Sequence, residues 1–125
     1  MAFNLKTSKK TDEILIQMGN STNIPYEALI KLSLALSLRK GPLRDEDFQT
    51  DNSGRELNRQ TITGDADPLY KCLSEVCANH HMSDEEYFPG EVKAHLDRGA
   101  VLLQNEWRYS GNDFLRYLTE LEKSI

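Results

Sequence analysis

The sequence predicts a mainly helical fold, a compact bundle of about five helices with a short extended N-terminal segment and a long polar loop. Three observations point there. Apolar residues recur at three- and four-residue spacing in several separate stretches, helix start and stop residues punctuate them, and only one short stretch alternates with period two. The length of 125 residues fits one domain able to bury its own core. Within residues 1–125 the composition divides into a basic part at 1–44, a polar loop at 45–66 and an acidic helical part at 67–125.

Residues 3–7, Phe-Asn-Leu-Lys-Thr, alternate apolar and polar and read as a short extended segment. Ser8 is placed to cap the first helix, with Asp12 and Glu13 near its positive end, Ile14, Leu15 and Met18 as its apolar stripe, and Gly19 as its stop. The run Gly-Asn-Ser-Thr-Asn at 19–23 is turn chemistry. A second helix then spans about 24–38 and stops at Gly41-Pro42. It carries Leu29, Ile30, Leu32, Leu34, Leu36 and Leu38, so nearly its whole circumference avoids water; it is expected to be central or to face another copy.

Residues 43–66 are polar and irregular. Loops this long inside a compact domain are functional, mobile, or folded into short turns that periodicity does not reveal. Asp67-Pro68 starts a third helix, on which Leu69, Cys72, Leu73, Val76 and Cys77 follow helical spacing. Ser83-Asp84-Glu85-Glu86 has the form of a capping box, cut short by Pro89-Gly90. A longer helix follows with Val92, His95, Leu96, Gly99 and Leu103 on one face, and Trp107 and Tyr109 near its end. Ser110 is read as the cap of a last helix bearing Phe114, Leu118 and Leu121.

No apolar run has the length of a membrane span, and the N-terminus lacks a secretory signature, so a cytoplasmic protein is expected. Cys72 and Cys77 lie about 140° apart around one helix and cannot be bridged within it. With His80, His81 and His95 they do not have zinc spacing, and they are read as structural. The acidic runs 45–47 and 84–86 raise the alternative of a metal-dependent nuclease, but charge runs are more often solvated faces. There is no phosphate-binding glycine loop, nucleophile elbow or Cys-x-x-Cys. The expectation is no catalytic residue, no metal and no cofactor.

The net charge of −5 hides an asymmetry. Residues 1–44 hold seven Lys/Arg and three Asp/Glu, a balance of +4, so the remainder carries −9. Lys6, Lys9 and Lys10 stand at the junction of extended segment and first helix; Arg39, Lys40 and Arg44 follow the second. If the two helices bring these groups to one end, they either hold phosphates, releasing counterions, or form a solvated rim.

Several segments together carry a family resemblance: Asn4-Leu5-Lys6-Thr7-Ser8, the turn at 19–23, the leucine-rich run Ala28–Leu38, Gly54-Arg55-Glu56-Leu57-Asn58-Arg59-Gln60-Thr61-Ile62-Thr63-Gly64, and His95-Leu96-Asp97-Arg98-Gly99. In their order and spacing the chain resembles the DndE family of the bacterial DNA phosphorothioation system, in which sulfur replaces a non-bridging phosphate oxygen. The resemblance implies a small helical subunit without its own cofactor that self-associates, as a tetramer, and binds duplex DNA. Its partners would be a cysteine desulfurase, a reductase-like iron–sulfur protein and a coiled-coil ATPase, which would perform the sulfur chemistry.

The expected site is then a set of backbone contacts from Lys6, Lys9, Lys10, Lys31, Arg39 and Lys40 repeated by symmetry, with Leu29, Leu32 and Leu36 building the oligomer. Arg55, Asn58 and Arg59 are either a second contact site for DNA or a partner, or ties between the loop and the helices. Nicked or distorted duplex is expected to conform better to such a surface. The alternatives are an adaptor without direct DNA contact and, by analogy of the first forty residues, a ribbon-helix-helix repressor.

Overall fold

The computed structural model describes residues 3–110 together with Phe114, Arg116, Tyr117 and Thr119. Its elements are β1 (Asn4–Lys6), α1 (Lys9–Thr22), α2 (Tyr26–Lys40), β2 (Glu56–Asn58), α3 (Arg59–Ile62), α4 (Asp67–Ala78) and α5 (Val92–Ser110). The fold is thus mainly helical, five helices with one two-stranded antiparallel ribbon.

β1 pairs with β2 in the register Asn4↔Asn58, Leu5↔Leu57, Lys6↔Glu56, which points Leu5 and Leu57 into the core together. The extended N-terminal segment is therefore completed within its own chain. This departs from the ribbon-helix-helix analogy, in which the strands of two copies pair. The ribbon ends in a close approach. Gly54 donates to the Thr7 carbonyl at 2.9 Å, and a Cβ there would run into Thr7 Oγ1 and the Ser8 carbonyl.

α1 is capped by Ser8, whose Oγ accepts from the Thr11 amide at 3.0 Å, and it buries Ile14, Leu15 and Met18. Gly19 does not end it. The helix runs on to Thr22 and closes on Asn23 in the left-handed conformation (φ 61°), whose amide returns to the Gly19 carbonyl. Asparagine tolerates that conformation, so it supplies the stop expected of glycine. The turn is thereby reduced to residues 23–25, and α2 begins two residues later than expected and extends to Lys40.

α2 packs mainly on α5, and the two backbones touch where Gly99 faces Ser33: a Cβ on Gly99 would run into the Ser33 carbonyl oxygen. The small faces let the helices approach to an axis separation side chains would otherwise prevent. The buried side of α2 is Leu29, Ile30, Ser33, Leu34 and Ser37, whereas Leu32, Leu36 and Leu38 are only partly covered. The expectation of a helix dry all round is corrected accordingly.

The long polar loop is folded into short pieces: a 3₁₀ turn at Asp45–Phe48, β2, the single turn α3 capped by the Asn58 side chain, and a second 3₁₀ turn at Gly64–Ala66. α4 starts at Asp67-Pro68 and ends on left-handed Asn79. Its periodic stripe faces outward instead of inward, with Leu69, Cys72, Leu73 and Val76 exposed. Ser83 Oγ accepts from the Glu86 amide, as the capping box predicts, and a wide π-type turn over Glu86–Glu91 buries Tyr87 and Phe88 before α5.

Val92, His95, Leu96, Gly99 and Leu103 are all buried on α5. Ser110 belongs to that helix and donates its hydroxyl to the Trp107 carbonyl; the start of the last helix it is read as capping lies outside the described residues. Phe114 joins the core; Leu118 and Leu121, predicted for the last helix, lie outside the described residues.

Candidate nucleic-acid interface

The geometry of the basic end is set by two consecutive residues of α5. Asp97 is buried and accepts from the Ser8 amide (3.1 Å), Thr11 Oγ1 (2.7 Å), Thr50 Oγ1 (2.6 Å) and Lys93 Nζ (2.6 Å). It sits at the start of α1, where unpaired amides and the helix dipole favour an anion. Arg98 does the converse. Its guanidinium donates to the carbonyls of Ser37 (2.5 Å), Gly41 (2.6 Å) and Pro42 (3.1 Å), closing the C-terminal end of α2 where a cation is favoured. Side chains one residue apart thus bring the start of α1 and the end of α2 to one end of the molecule.

The neighbouring polar groups lock this arrangement. Ser37 Oγ accepts from Arg98 Nε (2.9 Å) and is hydrogen-bonded to His95 Nδ1 at 2.8 Å. The other ring nitrogen, Nε2, is buried 3.6 Å from the Glu91 carboxylate and has no hydrogen-bond partner among the described residues. His95 is therefore a fully buried orienting group. Cys72 is exposed and Cys77 half-buried, and no group of three or more His, Cys, Asp or Glu among the described residues is placed to hold a metal ion.

Around this end stand the predicted cations. Lys6, Lys9 and Lys10 are exposed at the ribbon–α1 junction, and Arg39 and Lys40 are exposed on the last turn of α2. Lys9 lies 4.0 Å from Glu13, a solvated pair. Lys6, Lys10, Lys31, Arg39 and Lys40 have no carboxylate partner among the described residues. Lys40 and Arg44 line a cleft of about 260 Å³ with Thr50, Asp97, Arg98 and Leu102, joining the α2 end to the groups that hold α1. Lys31 sits more than two turns back along α2 from Arg39 and is the outlying member.

The carboxylates at this end are already engaged. The amides of Lys9 and Ser53 hold Asp51 below its ordinary carboxylate value, and Asp47 accepts from the Arg44 amide and lies 3.7 Å from Arg98. Asp51 and Asp97 thus occupy the amides at the start of α1, leaving lysine side chains, not backbone, to meet an incoming anion.

Arg55 and Arg59, paired in expectation, have different fates. Arg55 remains half exposed, stacked 4.2 Å from the Tyr26 ring centroid and 3.3 Å from Asp12. Burial first, then the hydrogen bond to Asp12, pushes the Tyr26 phenol up, which keeps it a neutral donor beneath the guanidinium. Arg59 is withdrawn from solvent. It forms bidentate pairs with Asp67 (2.7 and 3.0 Å) and Asp84 (2.8 and 3.0 Å) and lies over Tyr87 and Phe88. Its donors are spent inside the chain, and Asn58 is a helix cap, so of the two readings of Arg55, Asn58 and Arg59 the tie between loop and helices holds for Asn58 and Arg59, and Arg55 alone keeps its guanidinium half exposed.

The expected oligomer residues also separate. Leu29 has no exposed surface and belongs to the chain's own core, so it has nothing to offer a second copy. Leu32 and Leu36 are partly exposed. Sequence reading had no signal for the organising pair Asp97-Arg98 beyond its place in the His95–Gly99 block, because their partners lie far away in the chain.

The model of the family described as DNA sulphur modification protein DndE matches residues 4–110. The chain belongs to the DndE family. Among solved structures it is similar to the crystal structure of DndE from Escherichia coli B7A involved in DNA phosphorothioation modification, with 15% identity and a TM-score of 0.64 over 82% of this chain and 97% of that one. At that identity the likeness speaks for the fold. No protein of curated function matches the sequence. The blocks that carried the resemblance are the ones that close the DndE fold here: Gly54 and Asn58 tie the ribbon, and Asp97, Arg98 and Gly99 clamp α1 and α2.

Proposed function

We propose that this DndE chain is a non-catalytic subunit of the phosphorothioation machinery that binds the backbone of duplex DNA through its basic end and presents it to the partners that carry out the sulfur chemistry. The observation that supports the reading is the clamp by Asp97 and Arg98, consecutive residues of α5 that hold the start of α1 and the end of α2, the two segments that carry these cations. Lys6, Lys9, Lys10, Arg39 and Lys40 are the phosphate contacts, with Arg55 held rigid beside them by Tyr26 and Asp12. Self-association multiplies this modest patch, and a nick lets the duplex bend toward it. Desulfuration and reduction belong to the cysteine desulfurase and the iron–sulfur protein, with the ATPase as a further partner.

The test is Lys9→Glu combined with Lys10→Glu. Binding to intact and nicked duplex should weaken, and the slope of log K against log salt should flatten by about two for each copy that engages the duplex, because each phosphate contact contributes about −0.9. Equal affinity for the wild type and the variant at several salt concentrations overturns the reading. The exposed apolar face of α4 favours a second reading, an adaptor that holds proteins rather than DNA. A mobility shift with the purified chain alone separates the two.

A further inference from the structure

Between Asp47 and Thr50 the chain crosses from one half of the clamp to the other. Asp47 lies 3.7 Å from the Arg98 guanidinium that closes the end of α2, and Thr50 Oγ1 donates to Asp97, which holds the start of α1. One residue further on, Asp51 accepts from the Lys9 amide. The 3₁₀ turn at Asp45–Phe48 is fixed as well, by the Arg44 amide on the Asp47 carboxylate (2.8 Å) and the Asp47 amide on the Arg44 carbonyl (2.9 Å). The segment is thus tied down on both sides of Phe48, yet Phe48 itself is 49% exposed.

A single exposed apolar residue is commonplace on a protein surface. What distinguishes Phe48 is its place, on the tether between the segment that carries Lys9 and Lys10 and the one that carries Arg39 and Lys40. Those cations suit phosphate oxygens, which an aromatic ring does not, whereas the face of a nucleobase stacks on such a ring whatever the sequence. The charges beside the ring follow the same division. Glu46 is paired with Arg44 at 2.9 Å and Asp47 is engaged as above, so of the run Asp45-Glu46-Asp47 the Asp45 carboxylate alone has no partner among the described residues. Such a carboxylate repels phosphate and accepts from the amino group of cytosine. The turn therefore favours a base, while the lysines and arginine on either side of it favour the backbone.

We propose that Phe48 is the residue through which this chain distinguishes DNA with an exposed base face from continuous duplex: its ring stacks on an unstacked nucleobase while the cations hold the flanking phosphates. The inference rests on the DNA-binding reading above and adds to it a contact that is apolar and independent of salt. In continuous duplex every internal base face is covered, so the same contact requires a base step to be opened first. A gap in one strand removes that requirement.

The experiment compares two DNAs of one sequence, both closed at their ends by ethylene-glycol linkers, one continuous and one with a single-nucleotide gap. The wild type should prefer the gapped DNA. Phe48→Ala should bind it on the order of tenfold more weakly, with little change on the continuous duplex and an unchanged slope of log K against log salt. Phe48→Trp should restore the preference, and its fluorescence should be quenched by gapped DNA beyond the change seen in the wild type, whose single tryptophan is Trp107. Circular dichroism and light scattering of both variants should match the wild type. Lys9→Glu with Lys10→Glu should weaken binding to both DNAs and leave their ratio intact, so the phosphate contacts and the base contact are read separately. Failure of the wild type to bind either DNA overturns the DNA-binding reading together with this inference. Binding without a preference for the gap, a preference that Phe48→Ala leaves intact, or an altered mass in that variant, which would make Phe48 part of an interface between copies, overturns the inference alone.

Discussion

Arg59 shows what a residue's identity does not reveal. Its planar, permanently charged head suits phosphate and carboxylate equally, and the sequence contains both opportunities. The structure spends it on carboxylates eight and 25 positions away, with Thr63 Oγ1 (2.7 Å) and Tyr87 OH (3.2 Å) also on Asp67. No periodic pattern connects residues at those separations, which is why this destination was illegible while the Ser8 and Asn58 caps, made to amides three residues on, were within reach of local reading. Burial alone would raise Asp67, but Arg59 outweighs it and holds the carboxyl below its ordinary value; Asp84 is lowered by the same guanidinium. Carboxyls with depressed folded values contribute stability that is complete above the unfolded pKa, about 3.9, and is lost as pH falls through the folded value. Arg59→Ala should therefore cost about 2–3 kcal/mol at pH 7, since it strands two partly buried carboxylates. Urea midpoints of the wild type and variant should converge as pH drops below about 4. A gap that stays constant down to pH 2.5 would sink this account. DNA affinity of the folded variant at neutral pH should equal that of the wild type.

At the scale of elements, periodicity located α1, α2, α4 and α5 because an amphipathic helix writes its spacing into the chain. It does not say which surface covers the apolar side. The stripe of α4 has regular spacing and faces outward, while the buried side of α2 includes Ser33 and Ser37, which periodicity passes over. Ser33 is buried because α5 arrives at backbone distance there, and Ser37 because it bridges Arg98 and His95. The single turn α3 and the three-residue strands are too short to carry a period, so the loop at 45–66 hid them. The sensitive point between elements is Gly99. Gly99→Ala usually gains from helix propensity, but here the methyl meets the Ser33 carbonyl and α2 must shift. It should cost about 1–3 kcal/mol or more, and because α2 carries Arg39 and Lys40 it should weaken DNA binding as well. An unchanged or raised melting temperature would contradict the close approach.

Taken as a whole molecule, the chain has a net charge of −5, while Lys6, Lys10, Arg39 and Lys40, at the start of α1 and the end of α2, have no carboxylate partner among the described residues. A net-acidic protein is repelled from DNA at distances beyond the screening length, so binding depends on short-range contacts and on the orientation that presents the basic end. Five side chains, Lys6, Lys9, Lys10, Arg39 and Lys40, would give one chain a salt slope of about −4.5, too shallow for tight binding at cellular ionic strength. Two copies gripping one duplex would approach about −9 and would add the effective concentration that linkage provides. The measurement is log K against log salt for the wild type and for Leu36→Ser, a substitution at a partly exposed position of α2 that changes no charge. The wild type should give a slope clearly steeper than about −4.5, and the variant should fall to that value or below with affinity reduced on the order of a hundredfold. Matching slopes in the two proteins would mean that one copy makes every phosphate contact, and that assembly serves the protein partners instead.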